Sequence, residues 1–458
     1  MENVIAIFDI GKTNKKILLF DQSLNVVFQE EQRFDEITDD DGFSCDDILK
    51  VEDWMVNSLQ KIIEEGQFEV KALNFATYGA SLVYLDKDGK RITPVYNYLK
   101  PMPEDVLENF YEKFGGVEEF SRNTASPALG MLNSGLQALW LKRKKPETFA
   151  KVKQILHFPQ YLSYCFTGKV TSEYTSIGCH TAMWNFDNMT YHPWLAHEQI
   201  QLPQPISNGT VFPVKIKNRI IPVGIGVHDS SSSLVPYLSG NSEQFILIST
   251  GTWCIFMNPF NEEPLTADQL KKDSLCYLSV QQKQVKSSRL FLGHIHEVNA
   301  ARIAEHFSVN PDFFKQLQPN EAMLKSLIKK NESKPAFFSN GIPEEFIDKT
   351  ISLSEFISAD EAYHQLMLDL TRLSLEALKL VIPKNNSAKA IYISGGFARN
   401  TLFVRLLATL LPGNKIYTSE VDNATAIGAA LTVWNSAFGS SATATNLGLK
   451  EYKPFDLG

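Results

Sequence analysis

Residues 4–20 read VIAIFDIGKTNKKILLF, and residues 245–257 read FILISTGTWCIFM. In the first stretch the apolar run Val4–Phe8 stops at Asp9, a turn with one glycine follows to Asn14, and Ile17–Phe20 forms a second apolar run. Two apolar runs around a glycine turn predict a β-hairpin. The second stretch repeats the pattern: Phe245–Ser249, then Thr250-Gly251-Thr252, then Trp253–Met257. Outward from the first hairpin, a turn at 21–25 and the run Val26–Phe28 complete an antiparallel meander. Residues 51–64 carry apolar positions at helical spacing, and Leu73–Ala76 reads as the next strand. Outward from the second, helices are expected near 298–307 and 361–382. A strand follows at Ala390–Ile393, then a Gly-Gly turn and a helix near 400–411. The chain therefore reads as an α/β protein built from two halves of one architecture. The halves divide at the polar cluster LSGNSEQ, giving 1–240 and 241–440, and the small polar residues of 441–458 read as a loose tail.

The chain has 458 residues, of which 44% are hydrophobic and 21% charged. These proportions fit a globular protein of two or three domains and exclude a disordered or fibrous one. A net charge of −8 leaves no basic face for nucleic acid or an anionic membrane. The cysteines are Cys45, Cys165, Cys179, Cys254 and Cys276, an odd set without a CxxC pair. They predict reduced thiols in the cytoplasm rather than a disulfide framework or structural zinc. The opening MENVIAIFDIG has no basic-then-apolar leader, and no apolar run approaches the roughly 20 residues of a membrane span.

Four segments carry chemistry. In Asp9–Asn14, Gly11 lets a phosphate approach the backbone N–H groups. Thr13 and Asn14 add side-chain donors, Lys12 and Lys15 add positive charge, and Asp9 at the strand end can hold Mg²⁺ directly or through water. The GKT triplet lacks the upstream glycine and spacing of a Walker A loop, and a plain hairpin turn also explains it. Thr250-Gly251-Thr252 repeats this logic, and two such turns facing across a cleft would grip a polyphosphate from both sides. Ser394-Gly395-Gly396-Phe397-Ala398-Arg399-Asn400 follows the β run AIYIS and precedes a helix, whose N-terminus favours an anion. Packing glycines are the alternative there. In PVGIGVHDSSSS (222–233), Asp229 reads as a helix N-cap. At a strand end open to a cleft it also reads as a general base for a hydroxyl attacking phosphorus.

In this order the segments resemble the FGGY carbohydrate kinase family, within the superfamily of actin, hexokinase and the heat-shock chaperones. In that family a D-x-G-x-[ST] turn and an [ST]-G-T turn bind phosphates, a G-G turn binds the adenosine side, and an Asp before a helix is the base. Residues 139–187, with YL at 161–162, TG at 167–168 and SEYTS at 172–176, are similar to the family's helical segment, and the likeness spans 4–435. Thr77-Tyr78-Gly79-Ala80 and His228-Asp229 are similar to the sugar side of rhamnulokinases and fuculokinases. Three positions depart from the pattern: Lys12 where a small residue is usual, Gln160 where Asp is common, and His294 near a substrate-contacting Asn.

The resemblance implies two actin/hexokinase-like (ribonuclease H-like) domains flanking a cleft, the first holding the sugar and the base, the second the nucleotide. It implies an ATP-dependent sugar kinase with Asp229 as base and Mg²⁺ near Asp9. The ATP residues would be Gly11, Lys12, Thr13, Asn14, Thr250, Gly251, Thr252, Gly395, Gly396, Phe397 and Asn400. The sugar would meet Tyr78, Gly79, Ala80, His228, Asp229 and His294. L-rhamnulose and L-fuculose lead among acceptors, ahead of xylulose-type and polyol acceptors. A sugar-independent ATPase of the actin or chaperone kind and a sugar-binding regulator without turnover are the alternatives. The expected partners are a small sugar and at most a second copy of the chain, with no nucleic acid and no membrane. His294-Ile-His296-Glu297 is not read as a metal site, because residues two apart diverge on either regular element.

Overall fold

The computed structural model describes residues 1–240, 243–330, 336–339, 341–385, 387–442 and 445–457. Strands β1 (Glu2–Ile10), β2 (Lys15–Phe20) and β3 (Val26–Gln32) form the expected meander, and β4 (Phe68–Thr77) lies parallel to β1. Strands β5 (Val211–Ile216), β6 (Arg219–Gly224) and β7 (Val227–His228) complete a seven-stranded sheet on the β4 side. The second half repeats the plan. Strands β8 (Phe245–Thr250) and β9 (Cys254–Asn258) form a hairpin, and β10 (Ser274–Leu278) and β11 (Gln284–Leu290) extend it beyond β9. On the other side, β12 (Ala390–Gly395) and β13 (Lys415–Thr418) run parallel to β8.

Helix α1 (Ile48–Glu65) covers the outer face of the first sheet. Asp47 caps its start, accepting from the Lys50 N–H, and Gly66 ends it in a left-handed conformation. Val51, Met55, Leu59 and Ile62 pack on Val4, Ala6, Phe8 and Ile10, each fully buried side chain contributing about 1.5–3 kcal/mol. Residues 82–200 supply a separate core around Tyr84, Tyr96, Phe110, Trp140 and Trp194.

Two helices cross the division drawn at residue 240. Helix α2 (Asp229–Gly240) leaves the first sheet yet packs Leu234 and Tyr237 on Phe245, Leu247 and Tyr392 of the second. Helices α3 (Leu292–Phe307), α4 (Ala359–Lys379) and α5 (Thr401–Leu410) stay with the second half. Helix α6 (Ala424–Phe438) returns, packing Ala426, Ala430 and Val433 on Ile5, Ile7, Leu18 and Phe20 of the first sheet. Asn241 and Ser242, within the expected boundary, lie outside the described residues, as do 443, 444 and 458 of the tail.

The expectation of a loose tail is corrected where the tail is described. β14 (Lys450–Tyr452) pairs antiparallel with β13 at the sheet edge, and Phe455 is buried in the second core. The polar composition hid this because an edge strand exposes most of its side chains. No helix among the described residues is long and apolar enough to cross a membrane.

Candidate active site

The Gly11 N–H bonds the Asn14 carbonyl at 2.9 Å, and this tight turn sets the register Ile10↔Lys15 and Asp9↔Lys16. Alternation along the strands then separates the two lysines. Lys16 and Asp9 share the face turned to the second lobe and line a cavity of about 380 Å³ with Ser249, Ser394, Gly395 and Thr425. Lys15 points the other way, is 2% exposed, and donates to the Lys12 carbonyl and to Asp46. Lys12 also turns from that cavity: its ammonium lies 2.7 Å from Asp46 and 2.8 Å from Glu36. Thr13 is exposed, and the Oδ1 atom of Asn14 is buried without a partner. The cation facing the interlobe cavity is thus Lys16, which sequence reasoning missed. Counting the register outward from the four-residue turn would have found it.

β7 pairs His228 with Thr77 of β4, which brings the loop after β4 against the start of α2. The His228 Nε2 atom is 3.3 Å from Asp229 Oδ1. A Cβ on Gly79 would stand 2.8 Å from that same nitrogen, so only glycine lets the loop lie on the ring. Ala80 follows in a left-handed conformation, φ 59°, a strained position for a residue with a side chain. Asp229 keeps 35% of its side chain exposed and accepts from the Ser230 N–H and hydroxyl. Asp229 is the first residue of α2 and not its N-cap, since it accepts from the adjacent Ser230 rather than from an N–H two or three residues on; its partial exposure suits the second role foreseen for it. Burial pushes His228 down, but the charges of Cys179 and Asp229 outweigh it and bring the imidazole up to about 9. Burial likewise pushes Cys179 up, and His180 and His228 outweigh it to bring the thiol down to about 6. Gln160 is fully buried, its amide beside Glu173 and the Ile225 carbonyl, a bracing role for this strand end.

On the second lobe, Gly251 and Thr252 are exposed at the turn, closed by a 3.0 Å bond from the Gly251 N–H to the Trp253 carbonyl. Thr250 is only 5% exposed. Its hydroxyl donates to the Ser394 carbonyl and accepts from the Phe397 N–H, pinning this turn to the Gly-Gly turn. Gly395 holds φ 84°, and a Cβ there would meet the Thr250 carbonyl at 1.9 Å, so no other residue fits. Beyond it opens a cavity of about 490 Å³ lined by Gly251, Gly396, Phe397, Phe314, His296 and Tyr363. The Tyr363 hydroxyl bonds His296 Nε2 at 3.0 Å and accepts from Asn400 Nδ2 at 3.1 Å, while Asn400 caps α5. His296 and Tyr363 were not foreseen as site residues, because they come from α3 and α4, far apart in sequence. The ring of His294 packs on Phe291 and Phe346 of the same lobe.

Asp9 is pushed up to about 6, chiefly by burial and then by the charge of Asp229, with Lys16 opposing. A carboxylate lining this cavity, its ionised form disfavoured by burial, fits a divalent cation, whose charge would reverse that destabilisation.

Two lobes of one plan, joined by exchanged helices and enclosing a cavity lined by Asp9 and Lys16 of one and Ser249, Ser394 and Gly395 of the other, have the two-domain actin/hexokinase-like fold. Residues 4–235 match the FGGY family of carbohydrate kinases, N-terminal domain, and residues 242–442 match the carbohydrate kinase FGGY, C-terminal domain. The chain belongs to this family, whose members phosphorylate an alcohol group. It is 23% identical over 261 residues to a rhamnulokinase of Mannheimia succiniciproducens, covering 55% of this chain and 52% of that protein. The match thus spans about half the length of the curated relative. A carbohydrate kinase from Novosphingobium aromaticivorans superposes with a TM-score of 0.79 at 22% identity, covering 100% of this chain and 95% of that one. A ligand-bound xylulose kinase from Lactobacillus acidophilus gives 0.75 at 18% identity, covering 99% and 94%. At these identities the likeness concerns the fold.

Proposed function

We propose that this protein transfers the γ-phosphate of ATP to a hydroxyl of a small sugar, a ketose such as L-rhamnulose or L-fuculose. The observation that carries this is the placement of Asp229: half-buried at the start of α2, within the electrostatic reach of Asp9, and bonded to His228, on which the loop Tyr78-Gly79-Ala80 lies. The nucleoside occupies the cavity between Phe397 and α4, and its phosphates run past the exposed Thr252 toward Lys16 and the Gly11 turn. The acceptor lies on the first lobe against Tyr78, Gly79 and His228. Asp229 takes the proton of the attacking hydroxyl, and His228 holds the carboxylate in place. Asp9, with phosphate oxygens, would hold Mg²⁺, which supplies charge neutralisation to the transferring phosphoryl group. Approach of the lobes excludes water and limits idle hydrolysis.

The family matches favour this reading over the actin- or chaperone-type ATPase. All five cysteines are free, which suits a reducing cytoplasm. The test is coupled ADP release over a panel of ketoses, aldoses and polyols. Acceptor-dependent release supports the proposal, and ATP hydrolysis indifferent to every acceptor overturns it.

A further inference from the structure

We infer that Lys12, held between Glu36 and Asp46, belongs to the acceptor site and restricts that site to neutral polyhydroxylated acceptors. The inference rests on the kinase reading above.

Lys12 starts within the phosphate turn, yet its ammonium is committed elsewhere. It bonds Asp46 at 2.7 Å and Glu36 at 2.8 Å and lies 5.9 Å from the centroid of the Tyr78 ring. Asp46 in turn accepts from Lys15 at 3.1 Å and from the Tyr78 hydroxyl at 2.7 Å. This chain of charge therefore runs from the turn at Gly11 to the first residue of the loop that covers His228. Tyr98 packs edge-on beside this cluster, its ring 6.1 Å from that of Tyr78. Its hydroxyl is pushed up first by burial, with Lys12 opposing and Asp46 and Asp229 adding to the rise.

The chemistry of this cluster is specific. An ammonium has three donors and no acceptor, so Asp46 and Glu36 leave Lys12 one N–H to offer. The Glu36 side chain is 42% exposed and that of Lys12 24%, which presents a donor beside an acceptor, the pairing a sugar hydroxyl needs. Lys12 and Lys15 are balanced by Asp46 and Glu36, and His228 lies 3.3 Å from Asp229. A sugar acid would have to enter with neither lysine in surplus, against Asp229. The phosphates have their own cation in Lys16 on the opposite face of the hairpin.

Steady-state kinetics with ATP and acceptor varied separately test this on the full chain, with L-rhamnulose and D-xylulose as neutral acceptors and D-gluconate as the anionic one. Lys12→Met should raise KM for the neutral acceptor about tenfold or more, the cost of a lost hydrogen bond to a charged group, with KM for ATP nearly unchanged. Glu36→Gln, at a half-exposed position that folding tolerates, should move the acceptor KM in the same direction. A raised KM for ATP with an unchanged acceptor KM would make Lys12 a nucleotide residue and overturn the inference. So would turnover of D-gluconate equal to that of the ketoses. Thermal-shift titration with sugar and with ATP reads the same contrast without turnover. A chain that binds sugar through Lys12 but releases no ADP would sink the kinase reading and sustain this one.

Discussion

Gly428 of α6 lies against Ser232 of α2 so closely that a Cβ on it would stand 1.9 Å from the Ser232 carbonyl oxygen. Here the two exchanged helices touch, and the Ser232 hydroxyl adds a 2.7 Å bond to the Thr425 carbonyl. Any side chain at 428 must push the helices apart, and each helix is seated on the other half's sheet. Gly428→Val should therefore cost about 1–3 kcal/mol, as overpacking does, and lower the thermal midpoint. An unchanged midpoint would mean that the crossing yields without strain.

Asp229→Asn retains size and removes the base. If the carboxylate accepts the hydroxyl proton, kcat for acceptor-dependent ADP release should drop about 10²–10⁴-fold. The thermal shift on adding ATP should persist, because the cavity proposed for the nucleoside is built from α3, α4 and the Gly-Gly turn. Full turnover in the variant would remove Asp229 from the role.

The hairpins, the meander and the Gly-Gly turn were legible because each rests on residues within a few positions of one another: apolar runs, a glycine, a turn. What was not legible depends on register or on distant packing. Lys12, Lys15 and Lys16 look alike in sequence, and only the pairing Asp9↔Lys16 separates the one that faces the cavity from the two that do not. Helix α6 is small and apolar over most of its length, so its sequence does not tell which sheet it covers. The edge strand Lys450–Tyr452 escaped notice for the opposite reason, since two of its three side chains are exposed.

Thr250 is expected to meet phosphate, and its hydroxyl joins the two turns. Thr250→Val would leave the Phe397 N–H and the Ser394 carbonyl without this partner, a loss of about 1–3 kcal/mol for buried groups. The Gly-Gly turn should loosen, so KM for ATP should rise several-fold while KM for the acceptor stays near its original value. A rise confined to the acceptor would contradict the assignment of these turns to the nucleotide.

His157 is 3% exposed, and neither of its ring nitrogens has a hydrogen-bonding partner. Burial, aided by the charge of His228, pushes it from the ordinary 6.5 down to about 3. Burial takes His296 down to about 4 in the same way. A base depressed in the folded state binds more protons when unfolded, so stability is lost as pH falls from 6.5 toward the folded value. At pH 5 the loss from His157 is roughly 2 kcal/mol. Asp9 and Asp369, both raised to about 6 chiefly by burial, act with the opposite sign, since the folded state gains their protons as pH falls through that value. The net slope is therefore a difference, and a variant isolates one contribution. His157→Leu removes a buried group that cannot accept a proton cheaply, so its thermal midpoint should fall less between pH 7.5 and pH 5 than that of the unmodified chain. Parallel decline in both proteins would place the acid sensitivity at other residues.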